Sequence, residues 1–428
     1  MQVGWIDFSA EDRSRTLTVL NALSQPGSVD ELGFGIVRDA MADKLFPGTS
    51  TLLTRARYFF LVPYLSRLME EGHDATRRDP RSLANEFRDH ERKCAEGLLR
   101  VNASSEGVIG RVALGSGKWV TRGPGEIYWA SLRNLGFMRE GSPDSYSAQF
   151  SYLADARLRE RHSSYVKNQD EDDGLSDDGL SYGSMWRLPR SCYEQWRKDW
   201  GNWKEQASIG LTSEEARFLQ RRITESRPQS LYALILSDDN LRTIALATLY
   251  GTGEEERSMG DSSFHAFLHN GALDRINSLA PRIAHSCALA EGFSEVVYGC
   301  RIAYNMQLTG LGEQGEREWD AFAERASSVV RRVDLNGIAA DLGLTNHGGF
   351  MLMKAFLMRA MACMEAGDLP GLQREVRQRE AAIKGARRKI GRTDHGDYAW
   401  RGGRRLPYRF ANAMGIVREI CEAGGCDA

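Results

Sequence analysis

Between His265 and Leu308 the chain reads HAFLHNGALDRINSLAPRIAHSCALAEGFSEVVYGCRIAYNMQL. Leu279, Ile283 and Leu289 recur at helical spacing, and Val296, Val297, Ile302 and Met306 follow in the same style. Two successive helices this apolar have to be buried against each other and against further helices, because water cannot cover them. That requirement sets the fold class more firmly than anything else in the chain. The same period returns in RSLANEFRDHERKCAEGLLR, in LTSEEARFLQRRITES with Thr212 and Glu215 at capping-box spacing, and in GFMLMKAFLMRAMACMEAG. The expected fold is mainly α, a multi-helix bundle-like architecture with a minor β or winged-helix-like element. The place for that element is the glycine-rich 107–141 region, where Pro124 opens a short helix in RGPGEIYWASLRNLGF.

A chain of 428 residues is long enough for two or three packing units. The acidic, glycine- and serine-rich NQDEDDGLSDDGLSYGS is the clearest composition break. It predicts an N-terminal helical domain over 1–168, a flexible loop over 169–184 and a C-terminal helical domain over 185–428. A first helix is expected from Ser9, a second over roughly 31–45, and a third capped by Thr49 or Ser50 and kinked at Pro63. No apolar run reaches the roughly 20 residues a membrane helix needs, and the first residues lack the basic-then-apolar pattern of a signal peptide. The seven scattered cysteines contain no CxxC pair. Reduced thiols in a cytoplasmic protein are therefore expected, without membrane partners.

Two clusters carry chemistry. In DELGFGIVRDAMADKLFPGTSTLLTRARYFF, Asp39 and Asp43 stand four apart and share a helical face. Arg38 is adjacent, Arg55 and Arg57 follow the FPGT turn, and Ser50 and Thr51 offer hydroxyls at an expected helix start. The set reads either as a pocket for a sugar-phosphate or as buried ion pairs locking two helices. Asn305, inside an apolar helix, needs partners for both amide ends and is a candidate ligand contact. The second cluster is KGARRKIGRTDHGDYAWRGGRRLPYRF, with nine cationic side chains against two aspartates. Lys384, Arg387, Arg388, Arg392, Trp400, Arg401, Arg404 and Arg405 are its candidate nucleic-acid contacts, suited to phosphates and base stacking. His265 and His269 share metal-ligand spacing, but no third ligand accompanies them; His347 stands in a glycine-rich turn. No metal and no cofactor is called for. A GxxxxGK[ST] loop and a GxSxG elbow are both lacking, which argues against ATP hydrolysis and serine-hydrolase chemistry.

The segments GWIDFSAEDR, DELGFGIVRDAMADKLFPGTSTLLTRARYFFLVP, IYWASLRNLGF, AAIKGARRKIG and RLPYRF together resemble the bacterial family called domain of unknown function 6361. The resemblance implies a setting in phage-defence loci, near helicases, nucleases or DNA-modification genes. It transfers no catalytic residue. Defence setting, cationic arm and carboxylate cluster together lead to an expected activity on double-stranded phage DNA. That activity is base excision by a DNA glycosylase, with Asp39 or Asp43 as the acid and Arg38, Arg55 and Arg57 as phosphate or base contacts. A non-catalytic DNA-binding subunit docking a helicase or nuclease is the alternative, and a metal-dependent nuclease is a third.

Overall fold

The computed structural model describes residues 32–72, 79–101, 106–155, 184–250, 263–309, 312–392 and 403–426. The helix expected from Ser9 and the loop expected over 169–184 lie outside these residues, apart from Ser184. The described chain is helical. Its β content is one isolated antiparallel bridge between Met138 and Trp186, so the anticipated winged-helix element reduces to a single pairing beside a helix. No helix among the described residues is long and apolar enough to cross a membrane.

The chain forms two compact units that interleave in sequence. The first comprises 1–40, 258–261 and 288–406; the second comprises 41–257, 262–287 and 407–428. This differs from the sequential division expected from the acidic loop, because composition marks a loop but not which segments pack together. Two helices run across the division: α1 (Gly35–Leu45) and the long apolar α6 (Pro281–Thr309).

In the second unit α2 (Tyr58–Glu71) packs on α3 (Pro80–Val101) and α4 (Pro124–Asn134). The expected cap at Thr49 or Ser50 is not used: residues 49–57 form turns, and α2 begins only at Tyr58. The next helix, α3, is capped by Asp79, its carboxylate accepting from the N–H groups of Arg81 (2.8 Å) and Ser82 (3.1 Å). The anticipated Thr212–Glu215 capping box opens α5 (Ser213–Ser226). Rings fill the centre, with Phe60 at 6.1 Å from Phe218 and Phe59 at 5.2 Å from Tyr128. Phe46 meets Phe410, the first residue of α10 (Phe410–Glu422), at 5.9 Å.

One expectation about thiols is corrected here. Cys421 and Cys426 are joined in a disulfide, while Cys94, Cys192, Cys287, Cys300 and Cys363 are free. Gly424 takes the left-handed conformation (φ +77°) and the Gly425 N–H bonds back to the Ile420 carbonyl at 2.9 Å. The chain therefore doubles back past the end of α10 and brings the two sulfurs together.

The first unit is built from the later part of α6, α7 (Glu313–Arg331), α8 (Gly348–Glu365) and α9 (Leu369–Lys384). Phe34 lies 6.1 Å from Phe293 and 6.2 Å from Phe356. Gly299 has no room for a side chain, since a Cβ there would stand 2.6 Å from Phe322. Asp368 caps α9 by accepting the Gly371 N–H at 2.8 Å.

A buried acid makes the second unit sensitive to pH. Glu91, on the buried face of α3, accepts the Gly125 N–H at 2.6 Å at the start of α4. Burial outweighs that bond and raises its carboxyl from 4.5 to about 7. The native state therefore holds this proton to higher pH than the unfolded chain. The resulting stabilisation, on the order of 3 kcal/mol, is full below the unfolded pKa and is lost as pH rises through the folded one. Urea melts at about pH 5 and about pH 8 should show the loss, and Glu91→Gln should flatten it. An equal slope in the variant would remove Glu91 as its source.

Candidate nucleic-acid interface

The polar stretch near the amino end resolves into separate ion pairs. In the second unit, Arg57 is buried and pairs with the buried carboxylate of Glu215, which also accepts the Tyr64 hydroxyl at 2.8 Å and the Thr212 N–H at 2.9 Å. Burial first, and then the Glu215 charge, hold the Tyr64 hydroxyl well above its ordinary pKa, so it remains a donor. Arg55 lies 3.0 Å from Glu419, whose carboxylate also accepts the Ala56 N–H at 3.2 Å. Asp43 pairs with Arg409, which in addition donates to the Thr49 carbonyl at 2.8 Å. In the first unit, Asp39 pairs with its neighbour Arg38 at 3.0 Å.

Burial separates these roles. Arg57 is a structural pin, because a guanidinium that deep is tolerated only when paired. Asp39 and Asp43 stay open to solvent, with side chains 50% and 61% exposed. Ser50 is half-buried and its hydroxyl accepts the Leu52 N–H at 3.3 Å; Thr51 is exposed. Neither stands at a helix N-terminus, so the dipole expected to favour an anion there is missing.

The arginine-rich arm is held by the first unit at both of its described ends. Glu380, fully buried on α9, accepts the Tyr304 hydroxyl (2.9 Å), the Lys389 N–H (2.8 Å) and the Ile390 N–H (3.0 Å). The 385–390 turn is thereby fixed, and Arg387, Arg388 and Arg392 are exposed on it, with Lys384 half-buried. Arg387 and Arg388 have no ion-pair partner among the described residues. At the other end, Glu318 accepts the Gly403 N–H at 2.8 Å and the Ser294 hydroxyl accepts the Leu406 N–H at 2.7 Å. Gly403 presses on Tyr298, where a Cβ would stand 2.6 Å away. Arg404 is exposed, and its carbonyl takes a bond from Arg301 at 2.8 Å. Arg405 turns inward: it is buried, pairs with Glu295 and lies 4.4 Å from the Tyr298 ring centroid. It anchors the arm where the sequence suggested a contact. Trp400 and Arg401 lie outside the described residues.

Asn305 is half-buried on α6, next to Tyr304, and its backbone carbonyl accepts the Thr309 hydroxyl at 3.0 Å. His347 is used as a cap, its Nδ1 accepting the Phe350 N–H at 3.3 Å. His265 and His269 have ring centroids 4.3 Å apart, beside a break at Gly271 (φ +90°).

The sequence reading placed Glu215 only in a capping box and did not single out the other buried glutamates. Glu215, Glu295, Glu318, Glu380 and Glu419 are all buried, and each holds an arginine or accepts backbone N–H groups, a single one at Glu318. One signal was available: Glu380 continues the buried stripe Leu372–Val376, four residues apart, where an apolar side chain is expected.

With this geometry in place, comparison with known proteins adds one relationship. Residues 1–171 match the Family of unknown function (DUF6361). No curated protein and no solved structure matches the chain. The DUF6361 match includes Asp39, Asp43, Arg55 and Arg57, but not Glu215, Glu419 or the basic arm.

Proposed function

We propose that this chain is an anti-phage defence protein that grips double-stranded phage DNA and, as a DNA glycosylase, releases a modified base to leave an abasic site. The observation carrying the DNA half is the arm itself: exposed Arg387, Arg388, Arg392 and Arg404 on backbone pinned by buried Glu380 and Glu318. A fixed turn loses little entropy when it meets a phosphate backbone, so its charges act at full strength.

The chemical half rests on the open carboxylates. Asp39 is the better placed, because its segment shares the first unit with the arm. Gly33 packs on Ile383 and Arg379, Arg379 donates to the Leu32 carbonyl at 3.0 Å, and Asp39 stands about 6 Å of helical rise beyond Gly35, where α1 begins. An exposed carboxylate can orient water or stabilise the positive charge that develops on the sugar as the base leaves. Arg38, already bonded to Asp39, would hold it in place.

The pairing of Arg55, Arg57 and Asp43 within the protein favours a second reading, a non-catalytic DNA-binding subunit that docks a helicase or nuclease. One experiment separates the two. Purified protein is incubated with modified and unmodified phage DNA, then assayed for free base, abasic sites and strand breaks. Free base and abasic sites from modified DNA alone, both lost in Asp39→Asn, support the glycosylase. Binding that leaves the DNA intact assigns the subunit role. Strand breaks abolished by a chelator would assign a nuclease and overturn both.

A further inference from the structure

Residues 107–122 read GVIGRVALGSGKWVTR and contain no acidic side chain. They belong to the second unit, away in sequence from the arm, and the function proposed above makes no use of them. Arg111, Lys118 and Arg122 are exposed along this stretch. Arg88 of α3, also exposed, donates to the Val120 carbonyl at 3.0 Å and joins the same surface. Arg122 shares its charge with Glu126 at 2.9 Å. Lys118 and Arg88 have no carboxylate partner among the described residues.

The stretch is anchored rather than loosely draped. Thr54 donates its hydroxyl to the Gly107 carbonyl at 2.7 Å, and the Ile109 N–H donates to the Tyr58 hydroxyl at 2.9 Å. Arg55 donates to the Glu106 carbonyl at 3.3 Å while paired with Glu419. Gly107, Gly110 and Gly117 all take the left-handed conformation (φ +77°, +94° and +71°), which a side chain would resist. Gly110 also lets the Trp119 ring seat on the backbone, where a Cβ would stand 2.5 Å from it. Around Gly115 and Gly117 the surface is open, with no atom within 4 Å of a Cβ built there. A cationic turn held this way, with bare backbone at its tip, suits close approach by a chain of phosphates. An anionic membrane fits less well. The Arg111–Gly115 helix is only five residues long, too short to lay an apolar face into lipid.

We propose that the 107–122 turn, with Arg88, is a second nucleic-acid backbone contact, carried by the second unit. It rests on the DNA-binding reading and extends it to a separate surface. The test measures fluorescence anisotropy of a short duplex against wild type, R111E/K118E and R387E/R388E over a range of salt. Each variant is melted to establish that it folds, with R111Q/K118Q as the milder substitute. R111E/K118E should bind about tenfold more weakly at 0.1 M salt, with the slope of log affinity against log salt reduced by about 2. If R111E/K118E binds like wild type while R387E/R388E weakens, the turn is no contact and the DNA reading stands. If wild type does not bind at all, the DNA reading falls and this proposal with it. If R111E/K118E loses binding only to phosphatidylserine vesicles, the surface belongs to lipid and the proposal is overturned.

Discussion

Glu215→Ala should lower the unfolding free energy by about 3–5 kcal/mol, the usual cost of stranding one member of a buried ion pair. The effect is large because one carboxylate serves several groups at once. Its loss leaves the Arg57 guanidinium buried without a counter-ion, the Tyr64 hydroxyl without an acceptor and α5 without its capping box. Denaturant melts followed by circular dichroism measure it. The double variant Arg57→Met/Glu215→Leu should recover part of the loss, since removing both charges together avoids the unpaired one. Tyr64 and the α5 terminus would remain unsatisfied, so recovery should be incomplete. A Glu215→Ala protein that melts within about 0.5 kcal/mol of wild type, as a surface change would, refutes the assignment of Arg57 as a pin.

The second large effect concerns binding. R387E/R388E should weaken duplex DNA binding by about tenfold to a hundredfold at 0.1 M salt and reduce the salt slope by about 2. Both side chains are exposed, so the melting curve should not move. Arg405→Ala should behave in the opposite way. Its guanidinium lies between Glu295 and the Tyr298 ring, so its removal should destabilise the first unit before any change in binding can be read. Unaltered DNA affinity in R387E/R388E would withdraw the arm as an interface.

The sequence made the helices legible wherever the information is local. The capping box at Thr212 and the proline start of α4 are both contained within a few residues, and both occur. The late start of α2 was not legible, because Thr49 and Ser50 have the composition of caps. What places Thr49 is a fold-level contact, Arg409 bonding its carbonyl from 360 residues away. The ion pairs show the same limit. Helical spacing put Asp39 and Asp43 on one face, but their partners are Arg38, next in sequence, and Arg409, 366 positions on. Arg57 and Glu215 are 158 positions apart. Residue types in a short window reveal charge. They do not reveal which distant charge neutralises it.

The interleaved order of segments bears on how this protein can be dissected. A clone stopped at residue 171 would synthesise Arg55 and Arg57 while leaving Glu419 and Glu215 untranslated, and would leave the buried Arg57 guanidinium, and the partly exposed Arg55, with no carboxylate to neutralise them. Such a fragment should be recovered as insoluble material. Co-expressing the missing portion as a separate polypeptide should return it to the soluble fraction.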